Sequence, residues 1–259
     1  MQATRCAGHA RHAGCVGAAR RHLPPVAPQR RQERRQIASV RAFAGVPDWN
    51  GRCFVALSTG EAATSHLARL IAEELNPGDS LCLKGDKGAG KSLFAREFIR
   101  SVYSDPQKEV HPPAQSLASP SAAYGDHAGP PIQHLDLRPM AAPSDADRQA
   151  LLESFESRVS LVECAERLQE WGAAPEQRLA IWIRRLPEAD GAGGNDGAGA
   201  SVRVITVVPH TGAWELRAGL LHAAVSRTGA PQGLLVLGDE MGASMIKGLP
   251  EGALLAKAA

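Results

Sequence analysis

LCLKGDKGAGKSLFAREF, residues Leu81–Phe98, is the stretch that decides the fold. Its opening, SLCLKG (Ser80–Gly85), is short and largely apolar, as a buried strand is. Its continuation, KSLFAREFIRSVY (Lys91–Tyr103), reads as a helix with Phe94, Phe98 and Val102 roughly on one side. Between the two, Gly85-Asp86-Lys87-Gly88-Ala89-Gly90-Lys91-Ser92 fits G-x-x-x-x-G-K-[ST] in full. Each part has a physical reason. Glycines let the backbone curl so that successive N–H groups converge on phosphate oxygens. The helix that follows presents its positive N-terminus to the same anion. Lys91 reaches the β- and γ-phosphates, and the Ser92 hydroxyl is a Mg²⁺ ligand. The expected nucleotide-binding residues are Gly85, Asp86, Gly88, Ala89, Gly90, Lys91, Ser92 and Leu93. A Gly-rich turn before a helix would not by itself call for Lys91 and Ser92 together.

A site of this kind needs a carboxylate near the metal, carried at the end of a neighbouring strand. Asp136, in HLDL, and Glu163, closing SLVE, both occupy such ends. Mg²⁺ takes oxygen ligands and keeps several waters. Ser92, Glu163 and Asp136 are therefore the candidate metal ligands, and Lys91, Asp136 and Glu163 the candidate catalytic residues. One carboxylate can hold the metal while the other positions the attacking water.

The remaining pattern alternates. CFVAL (53–57) offers a short strand, and STGEAATSHLARLIAEEL (58–75) a helix, with Ser58 and Glu61 at capping-box spacing. PIQHLDL (131–137) and ESRVSLVEC (156–164) contain two strands, separated by a helix through Leu151, Leu152 and Phe155. Residues 104–131, rich in Pro, Ser and Ala, read as a loop. RLAIWIRRL (178–186) and SVRVITVVP (201–209) form a hairpin, followed by a helix and a short strand in GLLVLGD. The order predicts an α/β, P-loop NTPase-like domain. Its sheet is mainly parallel, flanked by helices, with an antiparallel hairpin at the edge. The domain is drawn at 46–226, with 187–200 a flexible Gly-rich insertion and 227–259 an extension of unassigned role.

The net charge of +2 conceals an asymmetry: residues 1–45 carry nine arginines and one acid, for +8, against −6 for the rest. An Arg-rich, acid-poor start reads as a transit peptide, or else as a disordered basic arm. The acidic body argues against direct nucleic-acid binding. The five cysteines form no CxxC pair, which argues against structural zinc. No run of 18 apolar residues is present, so no membrane span is expected.

The ordered set GDKGAGKS, SPSAAY, HLDL, LVECAERL and RLAIWI resembles the TsaE ATPases, over roughly residues 57–220. The usual pattern of that family is GD-x-GAGKT, an SPTF-like segment, HxDLYR and LVEWxER. The resemblance implies ATP and Mg²⁺ as ligands and weak hydrolysis. It also implies action on a complex of TsaB- and TsaD-type proteins that makes N6-threonylcarbamoyladenosine in tRNA, so that tRNA is reached through the complex. Gly88–Ser92 match the nucleotide loop, Asp136 the acid after His134, Glu163 the Mg²⁺ acid, and Glu166–Arg167 the trailing pair. Ser119 and Pro120 match a switch-like segment near the γ-phosphate. The departures are Ser92 for threonine, Ser121 and Ala122 in the SPTF segment, Leu137-Arg138-Pro139 for LYR, and Cys164 for the tryptophan after the acid. A bacterial-type pathway behind a transit peptide points to an organelle, the plastid first and the mitochondrion second. Two alternatives remain open: a nucleotide-binding adaptor that does not hydrolyse, and a small-molecule P-loop kinase.

Overall fold

The computed structural model describes residues 53–115, 123–186 and 202–238. Eight strands form one sheet: β1 (Phe54–Ser58), β2 (Ser80–Lys84), β3 (Ala123–Tyr124), β4 (Ile132–Asp136), β5 (Val159–Glu163), β6 (Arg178–Arg185), β7 (Arg203–Pro209) and β8 (Leu234–Val236). The spatial order is β3-β4-β5-β2-β6-β7-β1-β8. β4, β5, β2 and β6 are mutually parallel and form the centre. β3 on one side, and β7, β1 and β8 on the other, are antiparallel to their neighbours. The predicted hairpin is β6–β7, and the antiparallel flank continues beyond it through β1 and β8. Residues 234–236 thus belong to the sheet, although they lie beyond the boundary drawn at 226: β8 completes the edge of β1, which would otherwise expose unpaired backbone groups.

Five α-helices are described: α1 (Glu61–Ala72), α2 (Lys91–Val102), α3 (Asp145–Ser157), α4 (Glu166–Glu170) and α5 (Gly212–Thr228). The alternation of a strand fixes their sides. Leu81, Leu83, Leu161 and Glu163 point to the α2 face. Gln133 points the other way, where its amide donates to Ser154 of α3 at 2.9 Å. Helices therefore cover both faces, as a parallel core requires. The core is continuous, with Leu81, Leu83, Phe94, Phe98, Leu161 and Ile181 fully buried.

Two local expectations fail. No capping box forms at α1: Ser58 ends β1, the N-cap is Gly60, and no side chain caps the helix. The Ser58 hydroxyl instead bonds the Gly60 carbonyl and Thr64 Oγ1, both at 2.9 Å. Within the expected loop 104–131, Ala123–Tyr124 pairs with β4. The basic segment 1–45, the switch-like residues Ser119–Ala122, the Gly-rich insertion and residues 239–259 lie outside the described residues.

Candidate nucleotide site

The loop between β2 and α2 is shaped by two glycines. Gly85 has φ +129°, and a Cβ there would stand 2.0 Å from the Ile183 carbonyl oxygen of β6. Gly90, with φ +113°, is the N-cap of α2. Its Cα faces Arg203, whose Nε donates to the Ala89 carbonyl at 2.9 Å. Arg203 is buried and holds the loop from beneath, from β7. Beyond Gly90 the helix begins at once, with Phe94 N–H donating to the Gly90 carbonyl at 3.0 Å. The first N–H groups of α2 have no intrahelical partner, and they face the loop.

Lys91 is buried at the base of the loop, where its Nζ donates to the carbonyls of Gly85 and Asp86 at 2.6 and 2.7 Å. Asp86, Lys87 and Gly88 are exposed at the tip. Ser92 Oγ donates to Glu163 Oε2 at 2.8 Å, and the other oxygen of Glu163 meets His134 Nε2 at 3.0 Å. Glu163 is only 3% exposed, so its carboxylate is oriented from both sides in a nearly water-free setting. Asp136 is the register partner of Glu163 across β4–β5 and shares its face; its Oδ1 accepts from the Arg138 N–H at 3.0 Å. The chain thus brings Lys91, Ser92, Asp136 and Glu163 to one end of the sheet, the end of β2, β4 and β5 where α/β ligands bind. Leu93 is half-buried behind them, on the first turn of α2.

Two hard oxygen donors, Ser92 Oγ and Glu163 Oε2, lie side by side at the phosphate loop and fit a Mg²⁺ ion that keeps most of its waters. Among the described residues, no group of three or more His, Cys, Asp or Glu side chains is arranged to hold a metal. Also among those residues, no helix is long and apolar enough to cross a membrane.

Beside the loop lies a cleft of about 600 Å³, lined by Gly85, Asp86, Lys87, Arg138, Cys164 and Trp182 among others. Trp182 faces Lys84, whose Nζ stands 4.9 Å from the ring centroid. Burial holds the Lys84 ammonium below the ordinary lysine range. Cys164 adopts φ +56° immediately after β5 and is buried, and burial raises its thiol pKa. Sequence reasoning had no role for Arg203 or Arg138. Arg203 had a visible signal, a lone cation inside the apolar run VRVITVVP. His134 was named only by resemblance, although strand alternation puts it on the Asp136 face.

The sheet order, the glycine-shaped loop and the Lys91–Ser92–Glu163 cluster define a P-loop nucleotide-binding α/β protein. Residues 58–190 match the family described as threonylcarbamoyl adenosine biosynthesis protein TsaE. The tRNA threonylcarbamoyladenosine biosynthesis protein TsaE of Bacillus subtilis is 32% identical over 123 residues, covering 47% of this chain and 72% of that protein. Its counterpart in Rickettsia conorii is 30% identical over 106 residues, covering 41% of this chain and 58% of that protein. The match to the Rickettsia felis protein likewise spans 59% of its length. The crystal structure of Bacillus subtilis YdiB is similar over 67% of this chain and 96% of that one, with 26% identity and a TM-score of 0.49. The chain belongs to the TsaE family.

Proposed function

We propose that this protein binds ATP with Mg²⁺ and hydrolyses it slowly, in the service of a TsaB–TsaD-type complex that makes N6-threonylcarbamoyladenosine in tRNA. The observation that carries the reading is the Ser92–Glu163 contact at 2.8 Å, formed at a complete phosphate loop in a chain of this family. The loop N–H groups and the α2 N-terminus bind the phosphates, and Lys91 neutralises their terminal charge. Ser92 and Glu163 would hold Mg²⁺, which would supply positive charge against the charge developing on the phosphates. His134 orients Glu163, and Asp136 positions water. Another component carries the carbamoyl transfer. Hydrolysis drives conformational change, because ATP- and ADP-bound forms differ in affinity for the partner. The basic first 45 residues direct the chain to an organelle, the plastid ahead of the mitochondrion.

The test is single-turnover hydrolysis of ATP with and without purified TsaB- and TsaD-type proteins. Cleavage that rises with the partners supports the reading. Tight binding of ATP with no cleavage, partners present, leaves a nucleotide-binding adaptor instead. That second reading draws on Cys164, which stands where the family pattern has a tryptophan.

A further inference from the structure

Two departures from the family pattern touch one another. Arg138 replaces the tyrosine of HxDLYR and Cys164 the tryptophan of LVEWxER, and Arg138 Nη2 donates to Cys164 Sγ at 3.1 Å. Among the described residues, the Arg138 guanidinium forms no ion pair with a carboxylate at contact distance. A neutral thiol is a weak acceptor, so it orients the guanidinium without neutralising it. The backbone below is fixed as well. Arg167 Nη1 donates to the carbonyls of Leu137, Arg138 and Met140 at 2.8, 2.9 and 2.5 Å, and the Arg138 N–H is held by Asp136.

The position of this cation is specific. Arg138 and Cys164 line the same cleft as Gly85, Asp86 and Lys87. Gly85 and Asp86 are also the residues whose carbonyls hold the Lys91 ammonium. Lys91 and Arg138 both act electrostatically on the Cys164 sulfur. A nucleotide held by this loop would have its β- and γ-phosphates cradled by the loop backbone and Lys91.

We propose that Arg138 reads the terminal phosphate of the bound nucleotide, from a position set by Cys164. The planar fork of arginine matches phosphate oxygens and their charge. A triphosphate engages it and a diphosphate falls short of it. Arg138 therefore makes the affinity for ATP exceed that for ADP, the difference on which a nucleotide-driven cycle depends. This rests on the nucleotide-binding reading above.

The experiment measures affinities of the full chain, with Mg²⁺, for fluorescent N-methylanthraniloyl ADP and the matching non-hydrolysable triphosphate. In R138A, triphosphate affinity is expected to fall about tenfold to a hundredfold, with ADP affinity changed less than about twofold. R138K, which keeps charge but not the fork, should fall between R138A and the parent. C164A, which frees the guanidinium, should weaken triphosphate binding alone. Retained ADP binding also reports an intact fold in each variant. Both nucleotides bound by R138A with an unchanged affinity ratio overturns the role of Arg138 and leaves nucleotide binding standing. An equal loss of both likewise overturns it. A parent protein that binds neither nucleotide overturns both readings together.

Discussion

Glu163 shows how much a single buried carboxylate can organise. One of its oxygens accepts from Ser92 and the other meets His134, so its orientation is set before any ion arrives. Removing such an outer contact usually lowers metal affinity about tenfold to a hundredfold. H134A should therefore weaken Mg²⁺ binding by that factor, read by calorimetry at saturating ADP, while ADP affinity in EDTA stays unchanged. The cysteines give a second expectation at this scale. Burial pushes the Cys82 thiol up to about 11 from an ordinary 9.0, and raises that of Cys164 too. Neither is a thiolate at neutral pH, so iodoacetamide at pH 8 followed by peptide mapping should label both far more slowly than in urea. The sign for stability follows. Below about pH 9 the Cys82 thiol is protonated, folded or unfolded, and stability is full. As pH rises towards 11 the unfolded chain loses this proton first, so stability falls, and C82A should flatten that part of the curve. Glu163 and Asp136 were legible in the sequence because acids at strand ends are few. Arg138 was not, because nothing local tells whether a loop arginine turns toward solvent or toward a thiol 26 residues away.

The β2–loop–α2 unit was read almost without error, since its chemistry is local: an apolar strand, glycines where φ must be positive, and an amphipathic helix. The sequence could not reveal that the loop is wedged between two distant strands. Gly85 abuts β6, and the Ala89 carbonyl is held by Arg203 of β7. A methyl group at position 85 would overlap the Ile183 carbonyl, which is backbone and cannot turn aside. G85A should therefore displace the loop: ADP binding should fall below detection in fluorescence titration, and the melting temperature should drop by several degrees. The capping box at Ser58 fails for a related reason. Ser58 is needed as the last residue of β1, paired with Arg203, and a pairing made through space outweighs a cap worth about 1 kcal/mol.

Across the molecule, the end of the sheet opposite the nucleotide site is fastened by Asp79. This fully buried carboxylate accepts from Arg217 of α5 at 2.7 and 2.8 Å, from Gln177 at 3.2 Å and from the Asn76 N–H at 2.8 Å. It ties the turn after α1 to α5 and to the start of β6. Removing one partner leaves an uncompensated buried charge. R217M should cost about 3–5 kcal/mol in urea unfolding, with ADP affinity unchanged because the site lies at the far end of the strands. Global order was legible as alternation, whereas the width of the antiparallel flank was not: β1 and β8 pair with partners 145 or more residues away in the chain. The β6–β7 hairpin carries a last consequence. Its arms close through the Leu186 N–H to the Val202 carbonyl at 2.9 Å, and β6 runs parallel to β2, so the arms end at the same end of the sheet as the phosphate loop. The closure entropy of a loop grows only slowly with its length, so the arms tolerate almost any connector. The connection between the arms is a natural graft point, where an epitope or a reporter dye could be spliced in between Leu186 and Val202.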